Sequence, residues 1–244
     1  MIFAAGVGSR LKPFTDYHPK ALVEVGGKPM LQRVIERMKS VGIRDIVINI
    51  HHFGDQIVDF VKKNDNFGLN VQFSDETDQL LDTGGGLLKA QSLLGSDDDI
   101  LIHNADILSD LDLNKLIETH KKSAPLATLS ITERDSSRKL FFDEENRLIG
   151  WKNFNSGETK PSGFEPLPWN RCFAFSGIQV VSPEIFPLLA KFSKSEGIVF
   201  SITPFYLSVC REHTVIGDAM QPGERWFDVG RPASLASART SFEE

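Results

Sequence analysis

Cysteine is scarce in this chain: among 244 residues only Cys172 and Cys210 carry a thiol, and no Cys-x-x-Cys pair occurs. That excludes a dense disulfide framework, and it fits a reducing compartment, so a cytoplasmic location is expected. Long apolar runs are also missing. No stretch approaches the roughly 20 residues that cross a bilayer, and the start lacks the basic segment and apolar core of a signal peptide. Positive charge is not in excess: 27 Lys and Arg against 33 Asp and Glu leave a formal net charge of -6. This argues against nucleic acid or an anionic membrane as a partner, while local cations still suit small anions such as nucleotides. There is no internal repeat and no hexapeptide array, so an appended acyltransferase domain is not expected.

What is present is an ordinary globular composition, 41% hydrophobic and 25% charged, long enough for one large domain. Leu31, Val34, Ile35 and Met38 recur at helical spacing, and Ile46-Val47-Ile48 reads as a strand covered on both faces. Continuing in this way predicts helices over 30–41, 54–63, 87–94, 113–122, 201–209 and 232–242, with strands over 45–50, 69–73, 99–103, 127–131 and 172–181. The alternation specifies an α/β fold, a mostly parallel sheet with helices on both faces. Met1–Ala5 reads as a strand cut short, so a few residues upstream of this numbering are expected. The pattern loosens after Glu133, and 154–170, rich in Gly, Pro, Ser and Glu, reads either as a surface loop or as a substrate cover.

The first chemically loaded segment directly follows that opening strand: Gly6-Val7-Gly8-Ser9-Arg10, then Pro13, Thr15 and Pro19-Lys20. Gly6 and Gly8 allow a tight turn with amides aimed at phosphate oxygens. Arg10 offers a planar fork for polyphosphate and Lys20 a compact second charge, unless both are merely solvated. A dinucleotide fingerprint would need glycine where Leu11 stands, and a Walker loop would need Ser or Thr where Pro29 follows Gly27-Lys28. Both fail.

This composite segment resembles the signature of the sugar-1-phosphate nucleotidylyltransferase family. The resemblance implies a Rossmann-like, mixed but mostly parallel sheet flanked by helices, with a small sugar-binding lobe. It further implies a single domain, with nucleotide binding in about 1–132, sugar binding in about 133–231 and a terminal helix over 232–244. Substrates would be a nucleoside triphosphate and a sugar 1-phosphate, the cofactor Mg²⁺, and the protein a monomer or homodimer. In the family the arginine, here Arg10, holds the triphosphate, and the lysine, here Lys20, contacts phosphate near the reacting centre. Ala5, Gly6, Gly8 and Ser9 would meet the nucleotide.

Asp106, ending the apolar run Ile100-Leu101-Ile102, and Asp228, in Trp226-Phe227-Asp228-Val229-Gly230, are each read alone as turn-formers or caps. The resemblance makes them the two magnesium carboxylates and Asn104 a nucleotide contact. Trp226 and Phe227 read as lobe packing. Asp82-Thr83-Gly84-Gly85-Gly86 reads as a flexible cap or a close-approach site at a helix start. By resemblance, Thr83, Gly84 and Gly85 approach the base, in wording similar to the branch that uridylylates N-acetylmuramic acid 1-phosphate and to some mannose-1-phosphate guanylyltransferases. Lys152 and Gly177 match sugar-phosphate and sugar positions, although the proline usual after that lysine is replaced by Asn153, and Phe175 stands where glucose-type relatives carry Asn. A non-catalytic nucleotide-sugar binder remains the alternative, but it would be free to lose Arg10, Lys20, Asp106 and Asp228, all present. A metal-dependent glycosyltransferase would carry Asp-x-Asp, and Asp106-Ile107-Leu108 is not one.

Overall fold

The computed structural model describes residues 1–95 and 97–242. In chain order the elements are β1 (Ile2–Phe3), β2 (Glu24–Val25), β3 (Lys28–Pro29), α1 (Met30–Ser40), β4 (Asp45–Ile50), α2 (Gly54–Lys63), β5 (Asn70–Asp75), α3 (Asp82–Lys89) and α4 (Gln91–Leu94). There follow β6 (Ile100–Asn104), β7 (Ile107–Ser109), α5 (Leu113–Ser123), β8 (Ala127–Thr132), β9 (Arg138–Phe142), β10 (Leu148–Asn153) and β11 (Thr159–Lys160). The remainder are β12 (Arg171–Val181), α6 (Ile185–Glu196), α7 (Ile202–Val209), β13 (Val215–Ala219), β14 (Trp226–Asp228) and α8 (Pro232–Phe242).

The main sheet runs β5-β4-β1-β6-β12-β9-β10-β11, with β8 on β12 and β13 on β8. β5, β4, β1 and β6 are parallel neighbours, whereas β12 joins β6 antiparallel. A strand alternates its side chains between faces, and β4 shows the consequence. Ile46, Ile48 and Ile50 pack with Leu31, Val34, Ile35 and Met38 of α1, Ile57 and Val61 of α2, and Leu113 and Leu116 of α5. Val47 turns the other way, into a cluster with Leu87 of α3, Ile185 and Leu189 of α6, and Phe205 of α7. Both faces are therefore apolar, which is why the strand is a continuous hydrophobic run; each such side chain contributes about 1.5–3 kcal/mol on burial.

β12 changes partners along its length. Ile178–Val181 pairs with β6, while Arg171–Phe173 pairs with β9. Between them the register against β8 shifts between Phe175 and Gln179, and Gly177 sits there at φ 83. This bulge bends the strand just past the carboxyl end of β6, since Ile178 is opposite His103. The strands β9 to β11 consequently form a lobe beyond that end of the sheet.

The strand over 45–50 and the helix over 54–63 stand as expected from their periodicity. The helix expected over 87–94 starts at Asp82, runs through its three glycines and breaks at Ala90. The terminal helix expected over 232–244 spans Pro232–Phe242, and 243–244 lie outside the described residues. Among the described residues no helix is long and apolar enough to cross a membrane.

Candidate functional site

β1 ends at the middle of the sheet, and the chain turns over its carboxyl edge, where open α/β sheets hold ligands. A cavity of about 360 Å³ lies there, with Ala5, Gly6, Lys20, Thr83, Asn104 and Asp106 in its wall. Gly8 adopts φ 68, and a Cβ on it would come within 2.9 Å of both Lys20 Cβ and Thr15 Cγ2. Thr15 Oγ1 donates to the Gly8 carbonyl at 2.9 Å, closing the turn over Lys20. Ser9–Leu11 forms one tight helical turn, anchored by buried Leu11 and leaving Ser9 and Arg10 exposed at the loop tip.

Lys20 Nζ is ion-paired with Asp106 Oδ2, and the lysine side chain is only 11% exposed. Asp106 follows β6 and precedes β7, which pairs antiparallel with β14 so that Asp228 lies opposite Ile107. The Val229 amide donates to the Asp106 carbonyl at 2.9 Å. The short ladder thus brings the backbones of Asp106 and Asp228 together from distant parts of the chain, and Lys20 Nζ and Asp228 Oδ1 both lie around Gly230. Gly230 makes the close approach possible: a Cβ there would strike Lys20 Nζ and lie 2.8 Å from Asp228 Oδ1. Its amide donates to that same oxygen at 2.9 Å.

The glycine-rich helix start is arranged differently from a bare phosphate cradle. The Gly84 and Gly85 amides donate to the Phe200 carbonyl at 2.9 and 3.2 Å, and added side chains would collide with Phe200 and with the Ile198 carbonyl. Asp82 and Thr83, not these glycines, reach the cavity wall. Behind them lies a buried network that the sequence did not single out. Asn49 Oδ1 accepts from the Ala4 amide at 2.7 Å, Asn49 Nδ2 donates to Glu76 Oε1 at 2.7 Å, and Glu76 Oε2 accepts from the Leu81 amide at 2.9 Å. Glu76 and Asn49 tie the opening loop to the start of α3.

A second cavity, of about 970 Å³, lies between the lobe and the end of β14, and Asp228, Trp226, Arg231, Arg134, Trp151 and Lys160 stand in its wall. It adjoins the first: Gly230 separates Lys20 from Asp228, and Thr83 of the first wall is hydrogen-bonded to Ile202 N, beside Ser201 of the second. Segment 154–170 contributes Glu158 and Lys160, which are ion-paired at 3.3 Å, and is fastened to the lobe by Phe154 and Phe164 against Phe141. Trp151 and Asn153 face this cavity, whereas Lys152, between them on β10, places its Nζ 5.5 Å from the Phe154 ring centre. Gly177 lies beside Asn104, behind the first cavity's wall. Phe227 packs as expected, near Phe242 and the buried Val25, Met30 and Val229. Trp226 does more than pack, because the guanidinium carbon of Arg134 sits 4.4 Å from its ring centre.

The chain as a whole is similar to several known proteins. It is 29% identical to an N-acetylmuramate alpha-1-phosphate uridylyltransferase of Neisseria meningitidis, with 98% of this chain and 96% of that one aligned. To a mannose-1-phosphate guanyltransferase of Yarrowia lipolytica it is 35% identical over 141 residues, 57% of this chain but 39% of that longer protein. Among solved structures, a Bacillus anthracis protein described as a glucose-1-phosphate thymidylyltransferase and bound to sucrose superposes with a TM-score of 0.83 at 22% identity, covering 100% of this chain and 94% of its own. A UDP-glucose pyrophosphorylase holding UDP-glucose gives 0.78 at 19% identity, covering 99% and 96%. The nucleotidyl transferase family model matches residues 1–244, and the chain belongs to that family.

Proposed function

We propose that this nucleotidyltransferase joins UTP to N-acetylmuramic acid 1-phosphate and releases pyrophosphate. The observation that carries the reaction type is the meeting of Asp106, Asp228 and Lys20 at the junction of the two cavities. The substrate choice is supported by near-full-length similarity to uridylyltransferases of Neisseria meningitidis and Caulobacter vibrioides, the latter 27% identical over 100% of this chain. A second reading, GTP with mannose 1-phosphate, is favoured by the 35% identity over 141 residues to the Yarrowia protein.

In the proposed reaction the triphosphate occupies the smaller cavity under the loop and the sugar phosphate enters the larger one. An oxygen of the sugar phosphate attacks the α-phosphorus in line; the new P–O bond forms as the bond to the β-phosphate oxygen breaks, and pyrophosphate departs with that electron pair. No covalent enzyme intermediate is needed, because positioning and charge neutralisation supply most of such catalysis. Arg10 and the amides around Gly6 and Gly8 steady the departing anion, and Lys20 neutralises the attacking side. Asp106 and Asp228 fit magnesium as a donor set, which takes one or two carboxylates and fills its shell with phosphate oxygens and water. When bound, the ion draws charge from the reacting phosphates. Cytoplasmic cell-wall sugar recycling is the setting this substrate pair implies.

The test is pyrophosphate release in Mg²⁺, crossing UTP, GTP, ATP and dTTP with the 1-phosphates of N-acetylmuramic acid, mannose and glucose. Release is expected to be greatest with UTP and the muramic acid phosphate. Preference for GTP and mannose phosphate would replace the substrate assignment, and silence across the panel would overturn the reaction.

A further inference from the structure

We propose that Arg134 is the residue that grips the phosphate of the incoming sugar 1-phosphate, an assignment that rests on the nucleotidyl-transfer reading above. Arg134 lies just past the end of β8, on the wall of the larger cavity with Asp228 and Arg231. Its guanidinium carries five N–H donors in a fixed fork. Among the described residues its hydrogen bonding is confined to a long contact of 3.4 Å from Nη2 to the Phe175 carbonyl, and its buried Nε has no partner. Leaving such a donor unpaired costs free energy unless something arrives to accept from it.

The side chain is nevertheless held. Trp226 Nε1 donates to the Ser176 carbonyl at 2.8 Å, fixing the indole within the β12 bulge, and Arg134 rests on that ring. The fork is therefore placed in advance by one aromatic face, with its donors left over. Burial disfavours its charge; Asp228 favours it and Arg231 opposes it. The same wall also carries Arg138 and Asp135, so, the Lys160–Glu158 pair aside, three guanidinium groups face two carboxylates there, and one positive charge is in excess beside the reacting end of the cavity. A phosphate monoester, doubly negative and matched to a planar fork, is the ligand chemistry that completes this arrangement.

The two lysines nearest the lobe are less suited to the role. Lys160 is paired with Glu158 and lies 5.7 Å from the Trp151 ring centre, on the lobe side. Lys152, the residue that the resemblance indicates, alternates away from the wall that Trp151 and Asn153 form.

The experiment compares wild type, Arg134→Met and Arg134→Lys by calorimetric titration with N-acetylmuramic acid 1-phosphate and with the unphosphorylated sugar, in Mg²⁺. Wild type is expected to prefer the phosphate ester. Arg134→Met should lose about 10- to 100-fold of its affinity for the ester and almost none for the free sugar, the loss expected of a charged hydrogen-bond pair. Arg134→Lys should fall between. In turnover the KM for the sugar phosphate should rise in parallel, with the KM for UTP moving less than about twofold.

A wild-type preference for the ester retained in Arg134→Met, or lost in Lys152→Ala instead, overturns the assignment, as does a wild type without that preference. If the Mg²⁺ requirement shifts while ester preference stays, Arg134 is only the counter-charge of Asp228, and the assignment also fails. Should Arg134→Met not fold in a thermal melt, Arg134→Lys decides by the same ratio. Ester preference in a protein that releases no pyrophosphate with any nucleotide would refute nucleotidyl transfer while leaving the Arg134 assignment to be judged on binding.

Discussion

At Asp228 the backbone does much of the positioning, since the register with Ile107 sets the residue and the Gly230 amide holds Oδ1 at 2.9 Å. Asp228→Asn keeps an oxygen for that amide and replaces the other carboxylate oxygen and its charge with an NH2 group. The variant is expected to melt close to wild type and to lose turnover by about 10²-fold or more, the scale of a lost metal carboxylate. Pyrophosphate release beside a thermal melt reads both, and near-normal turnover would sink the metal assignment. Gly230→Ala tests the same cluster sterically. Its new methyl would press on Lys20 Nζ and Asp228 Oδ1, so the Lys20–Asp106 pair must shift. Because the atoms met are side-chain ends, the cost should lie at the low end of the roughly 1–3 kcal/mol typical of overpacking. Loss of kcat larger than the loss of melting temperature explains would show that the geometry of the pair matters to the chemistry.

Among the elements, the β12 bulge matters most to the site, because it throws the lobe strands past the end of β6 and sets Trp226 beneath Arg134. Gly177 is required there twice: φ 83 is costly for a residue with a Cβ, and that Cβ would lie 2.7 Å from Asn104 Nδ2. Gly177→Ala should lower stability by roughly 1–2 kcal/mol and raise the KM for the nucleotide by displacing Asn104; a normal KM with a lowered melting point would confine Gly177 to folding. Elements of this kind were the hard part to read from the chain. The strand at 45–50 was legible because parallel neighbours bury both its faces, and α1 because Leu31, Val34, Ile35 and Met38 form one stripe. Helix α6 was not, since Pro187 in its first turn reads as a break although the first turn tolerates proline. The strands β9 and β10 are not legible, because charged and apolar residues mix along an outlying hairpin. In the site, the loop glycines and the strand-end carboxylates each sit in a short local motif, and those motifs carry the family resemblance. Arg134 reaches its place only through the bulge and an indole remote in sequence, so no local spacing announces it.

Taken as a whole, the molecule places polar groups in the middle of its sheet, and His103 shows what that implies for stability. It lies on β6, wholly buried, with Nδ1–H donating to the Asn104 carbonyl at 2.8 Å and Nε2 unpartnered. Burial pushes its pKa down to about 3; the Asn104 carbonyl pulls the other way and the Arg37 charge adds to the depression. In the unfolded chain the same group titrates near 6.5. Below that value the unfolded state binds a proton that the folded state refuses, so stability is full above about pH 6.5 and falls as the pH drops toward 3, by up to about 1.4 kcal/mol per unit. Acidic residues add their own acid sensitivity, but they are common to wild type and to His103→Gln and cancel in the difference. The variant is expected to be less stable at pH 7.5, where it loses a fitted core residue, and to have the flatter profile between pH 6.5 and 4.5. Urea unfolding midpoints at pH 7.5, 6.0 and 5.0 measure this. Because β6 lies at the centre of the sheet, converging midpoints would report the folding of the sheet's core. Parallel profiles would mean that His103 is protonated in the native protein as easily as in the unfolded chain.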